Sequence, residues 1–261
     1  MPEYVHIEIE APLATIRLGR PEVLNALNQA MWGELVEAVH GLHGQDGIRA
    51  AIVIGSGRAF CVGADLKETA WRDETQAQSS RRIDRNQQQL AREMIQAPMP
   101  IIAAINGYAL GGGVEIALAA DLRIAAASAR FGFPETTIGR FISGGASLLL
   151  PAAVGLAEAK RLIYTGRRID ADQALGIGLV DEVVPDEALE TSARALAAEI
   201  AANAPVSVSL AKKVLNRVAM PELEAALALE TEALVQTYAT TDNEAGAAAF
   251  ATREKADFSG R

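Results

Sequence analysis

In Ile105-Asn106-Gly107-Tyr108-Ala109-Leu110-Gly111-Gly112-Gly113-Val114-Glu115, a turn dipeptide is followed by three consecutive glycines that open an apolar helix. Glycines leave backbone N–H groups without side-chain cover, and at a helix start those groups carry the positive end of the dipole. Such a place suits an anion, or an oxygen on which negative charge develops. The glycine spacing is not that of a dinucleotide-binding loop, and no Gly-Lys-Ser/Thr follows as in a phosphate-binding loop. Glu115 falls in the first helical turn, where a carboxylate is favoured by the dipole alone. On this stretch by itself, a structural and a chemical role for Glu115 are equally open.

Working outward, residues 101–105 form an apolar run that reads as a strand, and Ala97-Pro98-Met99-Pro100 stops the helix expected over residues 81–96. Residues 4–10 alternate apolar and charged, and residues 14–18 read as a returning strand. A helix is expected over 28–42 with Asn28 as its cap and Met31, Leu35, Val39 and Leu42 on one face. Short strands are expected at 50–54, 122–125 and 180–184, and a polar, aperiodic loop at 68–80. From about residue 156 the chain is mainly helical, with Gly166 ending a helix over 158–165. Leu189, Ala193, Leu196, Ala197 and Ile200 recur at helical spacing, as do Leu223, Leu227, Leu234 and Tyr238. Strands alternating with helices indicate an α/β fold.

Two further segments carry candidate chemistry. In Ala59-Phe60-Cys61-Val62-Gly63-Ala64-Asp65-Leu66-Lys67-Glu68, an apolar run meets Gly-Ala-Asp, whose small residues let a ligand approach the backbone. In Phe131-Gly132-Phe133-Pro134-Glu135-Thr136-Thr137-Ile138-Gly139, apolar neighbours would desolvate Glu135, raising its pKa towards the range useful for proton exchange. Taken singly, an ordinary strand-to-loop turn and a solvent-facing glutamate account for both.

Composition narrows the function classes. The 261 residues are 50 % hydrophobic, enough for a sizeable core, and 24 basic against 33 acidic residues give a net charge of −9. That charge disfavours a nucleic-acid partner. The single Cys61 excludes an internal disulfide and suits a reducing compartment. The N-terminal stretch lacks the features of a secretory signal, and no apolar run approaches the ~20 residues needed to span a bilayer. A cytoplasmic protein with no membrane partner is expected. His40 and His43 stand three apart on a helix, a spacing that could bind metal, but no third ligand is expected nearby, so no metal site is expected. Ser143 and Ser147 lack a histidine partner for nucleophilic work.

Together and in order, these three segments resemble the crotonase superfamily, and within it the enoyl-CoA hydratases. So do Arg20-Pro21-Glu22-Val23-Leu24-Asn25-Ala26-Leu27-Asn28 upstream and Ala174-Leu175-Gly176-Ile177-Gly178-Leu179-Val180 downstream. The likeness covers nearly the whole chain. It implies the crotonase fold: repeated ββα units form a core over residues 1–200 that holds the CoA and active site, and residues 201–261 form a helical region. Through such helices the family builds homotrimers or dimers of trimers. It implies reversible hydration of a 2-enoyl-CoA to a 3-hydroxyacyl-CoA. The amides of Ala64 and Gly112 would form an oxyanion hole, Glu115 would activate water and Glu135 would protonate C2. Lys67, with Ala64, Asp65 and Leu66, and the pair Phe250 and Arg253 would bind CoA, which arrives as part of the substrate; no separate cofactor or metal is implied. The alternatives are double-bond isomerisation or another crotonase-type acyl-CoA reaction and, from a different class, an RNA-binding homologue. One segment departs from the family pattern. Where hydratases carry Pro-Gly-x-Gly-Gly and then Thr and Arg, this chain reads Ile142-Ser143-Gly144-Gly145-Ala146-Ser147, with Leu149 at the arginine position. That wall borders the acyl pocket, so the acyl group is left open.

Overall fold

The computed structural model describes residues 3–68, 73–252 and 254–260. Among these residues ten strands form two sheets: β1 (Val5–Glu10), β2 (Leu13–Leu18), β3 (Ala50–Gly55), β4 (Ala59–Cys61), β5 (Ile101–Ile105), β6 (Tyr108–Leu110), β7 (Leu122–Ala126), β8 (Arg130–Gly132), β9 (Arg168–Asp170) and β10 (Glu182–Val184). The larger sheet runs β1-β2-β3-β5-β7-β10 and the smaller β4-β6-β8-β9. Among the described residues only β1 with β2, and β8 with β9, pair antiparallel. The chain thus alternates sheets: β3, β5 and β7 each lie in the large sheet, and the strand after each joins the small one. Each turn of this spiral brings one strand-to-loop junction to the same side of the molecule.

The helices are α1 (Gln29–His43), α2 (Gln76–Ile83), α3 (Gln89–Gln96), α4 (Gly112–Ala119), α5 (Ala146–Val154), α6 (Leu156–Thr165), α7 (Ala171–Gly176), α8 (Leu189–Ala201), α9 (Pro205–Ala219), α10 (Leu223–Tyr238) and α11 (Thr241–Thr252). Asn28 caps α1 by accepting from the Met31 N–H at 2.9 Å, and Met31, Leu35, Val39 and Leu42 are all buried. Strand β3 is buried on both faces, as parallel strands between helical layers are. Ala51 and Val53 face the main core beneath α1, while Ala50, Ile52 and Ile54 meet Leu189, Ala193 and Ala197 of α8. Lys212 of α9 enters this body and donates to Asp121 at 2.7 Å and to the Met94 and Met99 carbonyls. Desolvation lowers its pKa, and the Asp121 carboxylate opposes that shift.

The structure corrects the expected elements in several places, and the helix expected over 158–165 starts already at Leu156. The helix before Pro98 starts at Gln76, not at residue 81, because Thr75 and Gln78 form a reciprocal capping box. The loop expected to reach residue 80 is correspondingly shorter, and residues 69–72 within it lie outside the described residues. Between α2 and α3, Asp84–Gln88 widens into a π-turn. The last strand starts at Glu182 rather than 180. Among the described residues no helix is long and apolar enough to cross a membrane.

Candidate active site

Two backbone turns meet at the junction of the small sheet with α4. After β4 the chain makes a single parallel bridge to Leu27, in which the Leu27 N–H donates to the Gly63 carbonyl (2.8 Å) and the Asp65 N–H to the Leu27 carbonyl (2.9 Å). Along an extended segment N–H directions alternate, so the Ala64 N–H points away from that bridge. Gly112 is the first residue of α4, and its N–H is among those a helix leaves without an internal partner. The Gly63 backbone lies directly against Gly111 and Gly112, which brings the two turns together. Gly113 packs so tightly on the Cys61 carbonyl that a Cβ there would overlap it. The buried Asn25 side chain donates to the Ala59 carbonyl at 2.8 Å and so fixes the entry to β4.

A cavity of about 710 Å³ opens at this junction, and Ala64, Gly112, Glu115 and Glu135 all line it. Asp65, Leu66, Lys67 and Phe250 line it as well; Lys67 and Phe250 are exposed at its rim. The Asp65 carboxylate is engaged by Arg20 at 3.1 Å and accepts from the Lys67 N–H, so it shapes the loop from within. Arg253 lies outside the described residues. Cys61 is fully buried and burial pushes its thiol up to about 12, which leaves it a packing residue.

Glu115 and Glu135 sit in different surroundings. Glu115 is buried on α4 and accepts from both the N–H and the Oγ of Ser143, each at 2.7 Å. Glu135 follows β8 in a short 3-10 turn (Glu135–Ile138); its Oε2 is buried and has no hydrogen-bond partner among the described residues. Burial is the main cause that raises the pKa of each. For Glu135 the Glu115 charge adds to it, and for Glu115 the two Ser143 bonds oppose it. Two acids coupled in this way share protons as a pair. The Ser143 donors favour the ionised form on Glu115, whereas on Glu135 burial and the Glu115 charge outweigh a backbone hydrogen bond and the Arg140 charge, which favours the proton there.

Sequence reasoning missed what holds Glu115 in place. Gln88, from the π-turn, accepts from the Gly144 N–H at 3.0 Å, and Glu230 of α10 accepts from the Gly145 and Ser147 N–H groups at 2.9 and 2.8 Å. Gln88 in turn donates to the Leu227 carbonyl at 3.0 Å. These bonds tie the 143–147 strap, the segment that departs from the family pattern, to two distant helices. Ser143 and Ser147 are thus parts of a carboxylate network rather than nucleophile candidates. One signal was available: Glu230 continues the stripe Leu223, Leu227, Leu234, and an acid on an apolar helical face needs buried partners. His40 and His43 also find a third neighbour in space, Glu93, contrary to the expectation that none would be close.

Comparison with known proteins agrees with this architecture. The enoyl-CoA hydratase/isomerase family model matches residues 8–261. A short-chain-enoyl-CoA hydratase of Clostridium acetobutylicum is 37% identical over 252 residues, covering 96% of this chain and 95% of that protein. A crotonyl-CoA hydratase of Syntrophomonas wolfei is 35% identical over 257 residues, 98% of both chains. Among solved structures, an enoyl-CoA hydratase from Mycobacterium avium subsp. paratuberculosis superposes with a TM-score of 0.90 at 27% identity, covering 98% of this chain and 99% of that one.

Proposed function

The chain belongs to the enoyl-CoA hydratase/isomerase family, and from that premise we propose that it is a hydratase that reversibly adds water to a 2-enoyl-CoA, giving a 3-hydroxyacyl-CoA. The carrying observation is that both Glu115 and Glu135 line the cavity to which the Ala64 and Gly112 turns contribute. In this reading the thioester oxygen accepts from the Ala64 and Gly112 amides, which stabilise the enolate charge that develops during addition. Glu115, biased to its ionised form by Ser143, takes a proton from water as the hydroxyl adds to C3. Glu135, biased to its protonated form, gives its proton to C2. Water is thereby added across the double bond, and a proton passed from Glu115 to Glu135 restores the starting state. No step calls for a metal or redox group, and CoA enters as part of the substrate; in this reading the exposed Lys67 meets its nucleotide end and Phe250 flanks it at the rim.

The test is crotonyl-CoA hydration by Glu115→Gln and Glu135→Gln. Each variant is expected to lose roughly 10²–10⁴-fold in kcat, the usual worth of one positioned acid or base. Full activity in both would overturn the reading. Turnover of a 3-enoyl-CoA to its 2-enoyl isomer faster than hydration would assign isomerisation instead. The same reading includes a homotrimer or a dimer of trimers. In its support, α9 exposes Val206, Leu210, Val214 and Val218 along one side, a stripe suited to a second copy. Light scattering that gave a monomer mass would remove that part.

A further inference from the structure

We propose that His40, His43 and Glu93 form a binding site for a divalent transition metal, zinc foremost, that bridges α1 and α3. The two histidines stand one turn apart on α1 and face Glu93 on the neighbouring helix. His40 Nδ1 lies 3.1 Å from Glu93 Oε2, and His43 Nε2 lies 3.5 Å from the same oxygen. All three ligand atoms fall within 4.8 Å of one another. Tetrahedral zinc with bonds of about 2.0 Å holds its donors about 3.3 Å apart. Two of the three edges therefore already match. The third closes by a turn of the His40 side chain, which is 71% exposed and free to move without disturbing the core.

The donor set and its support point the same way. Two imidazoles and one carboxylate suit zinc and its neighbours, whereas magnesium and calcium require oxygen ligands. Glu93 Oε1 accepts from Gln89 Nε2 at 2.7 Å, which orients the carboxylate and leaves Oε2 to the histidines. His43 Nε2 also lies 3.0 Å from the Glu93 carbonyl oxygen. Binding replaces that hydrogen bond with a metal bond and needs both imidazoles unprotonated, so affinity falls as pH falls. The exposed side of His40 leaves a fourth position open to water. None of the three residues lines the 710 Å³ cavity. The site staples the outer end of α1 to α3, the helix that continues from the π-turn bearing Gln88.

The test uses untagged, chelator-treated protein titrated with zinc chloride by calorimetry, and with cobalt(II) followed by visible absorption. One zinc per chain is expected, with a tetrahedral cobalt band, and millimolar magnesium is not expected to compete. His43→Ala and Glu93→Gln should each weaken binding by at least the roughly 10–100-fold that losing an outer partner of a ligand costs, while His6→Ala, the one remaining histidine, should change nothing. Crotonyl-CoA hydration should be unchanged in all three, so failure of the metal site and failure of the hydratase reading are told apart. Absence of zinc binding, or equal affinity in wild type and a His40→Ala/His43→Ala double variant, overturns the proposal.

Discussion

The candidate site has two halves built on different principles. One half is backbone: the Gly63-Ala64 and Gly111-Gly112 turns, set side by side by the spiral of β4, β6 and α4. The other is side chain: Glu115 held by Ser143 on a strap that Gln88 and Glu230 clamp. In the first, position follows from close packing, and an added Cβ at Gly63 or Gly111 would clash. In the second, position follows from hydrogen bonds and charge, so it can be detuned without collapse. Substitution should therefore break the backbone half through folding and the side-chain half through rate and pH dependence.

The largest effect is expected from Gly113→Ala. Its new methyl would overlap the Cys61 carbonyl, which is backbone of the buried strand β4 and cannot step aside. Loss of soluble protein, or a fall in melting temperature of many degrees, should follow. Gly41→Ala on the exposed side of α1 is the counterpart: nothing lies within 4 Å of the added atom. It should stabilise by about 0.5–1 kcal/mol through helix propensity. A melt of Gly113→Ala like that of wild type would show that the backbone half has slack.

Ser143→Ala tests the other half at moderate cost. The Ser143 N–H remains, so the strap should keep its place while Glu115 loses one of two donors. A hydrogen bond to a charged group is worth about 1.5–3 kcal/mol, so kcat should fall roughly ten- to a hundredfold with KM little changed. The sign on pH is fixed: the lost donor favoured the ionised form, so the Glu115 pKa rises and the acid limb of kcat/KM moves to higher pH. A larger KM with an unmoved limb would make Ser143 a wall residue only.

What the sequence revealed divides along the same line. Two central strands of the large sheet were legible because at least five apolar residues in a row leave a clear pattern, in residues 50–54 and 101–105, and its edge strand β1 showed by alternation instead. Three-residue strands such as Tyr108–Leu110 and Arg130–Gly132 carry no period of their own, and only their pairing identifies them. The glycine turn before Glu115 is local and could be read directly. Its convergence with residue 64 came through family resemblance, not spacing. The Ser143, Gln88 and Glu230 bonds span 28, 56 and 85 residues, and no local pattern encodes such partners. The helix start at Gln76 was missed for a different reason: the capping pair Thr75 and Gln78 lies in a polar stretch without apolar periodicity.

The smallest effect, and the sharpest, is expected from Glu230→Gln. Burial raises the Glu230 pKa, and the bonds from Ser147, Gly145 and Gln88 counter that rise. Whatever negative charge it keeps acts on Glu115 and raises its pKa. Glutamine preserves shape and can still accept from one strap N–H, so kcat on the plateau should fall only a few-fold. Removing the charge lowers the Glu115 pKa, and the acid limb of kcat/KM should move to lower pH, opposite to the shift in Ser143→Ala. Opposed shifts from a residue of the strap and from the acid that clamps it would show that the strap sets the ionisation of Glu115 as well as its position. If Glu230→Gln lowers only the melting temperature and leaves the limb where it was, the clamp is structural, and Ser143 alone tunes the base.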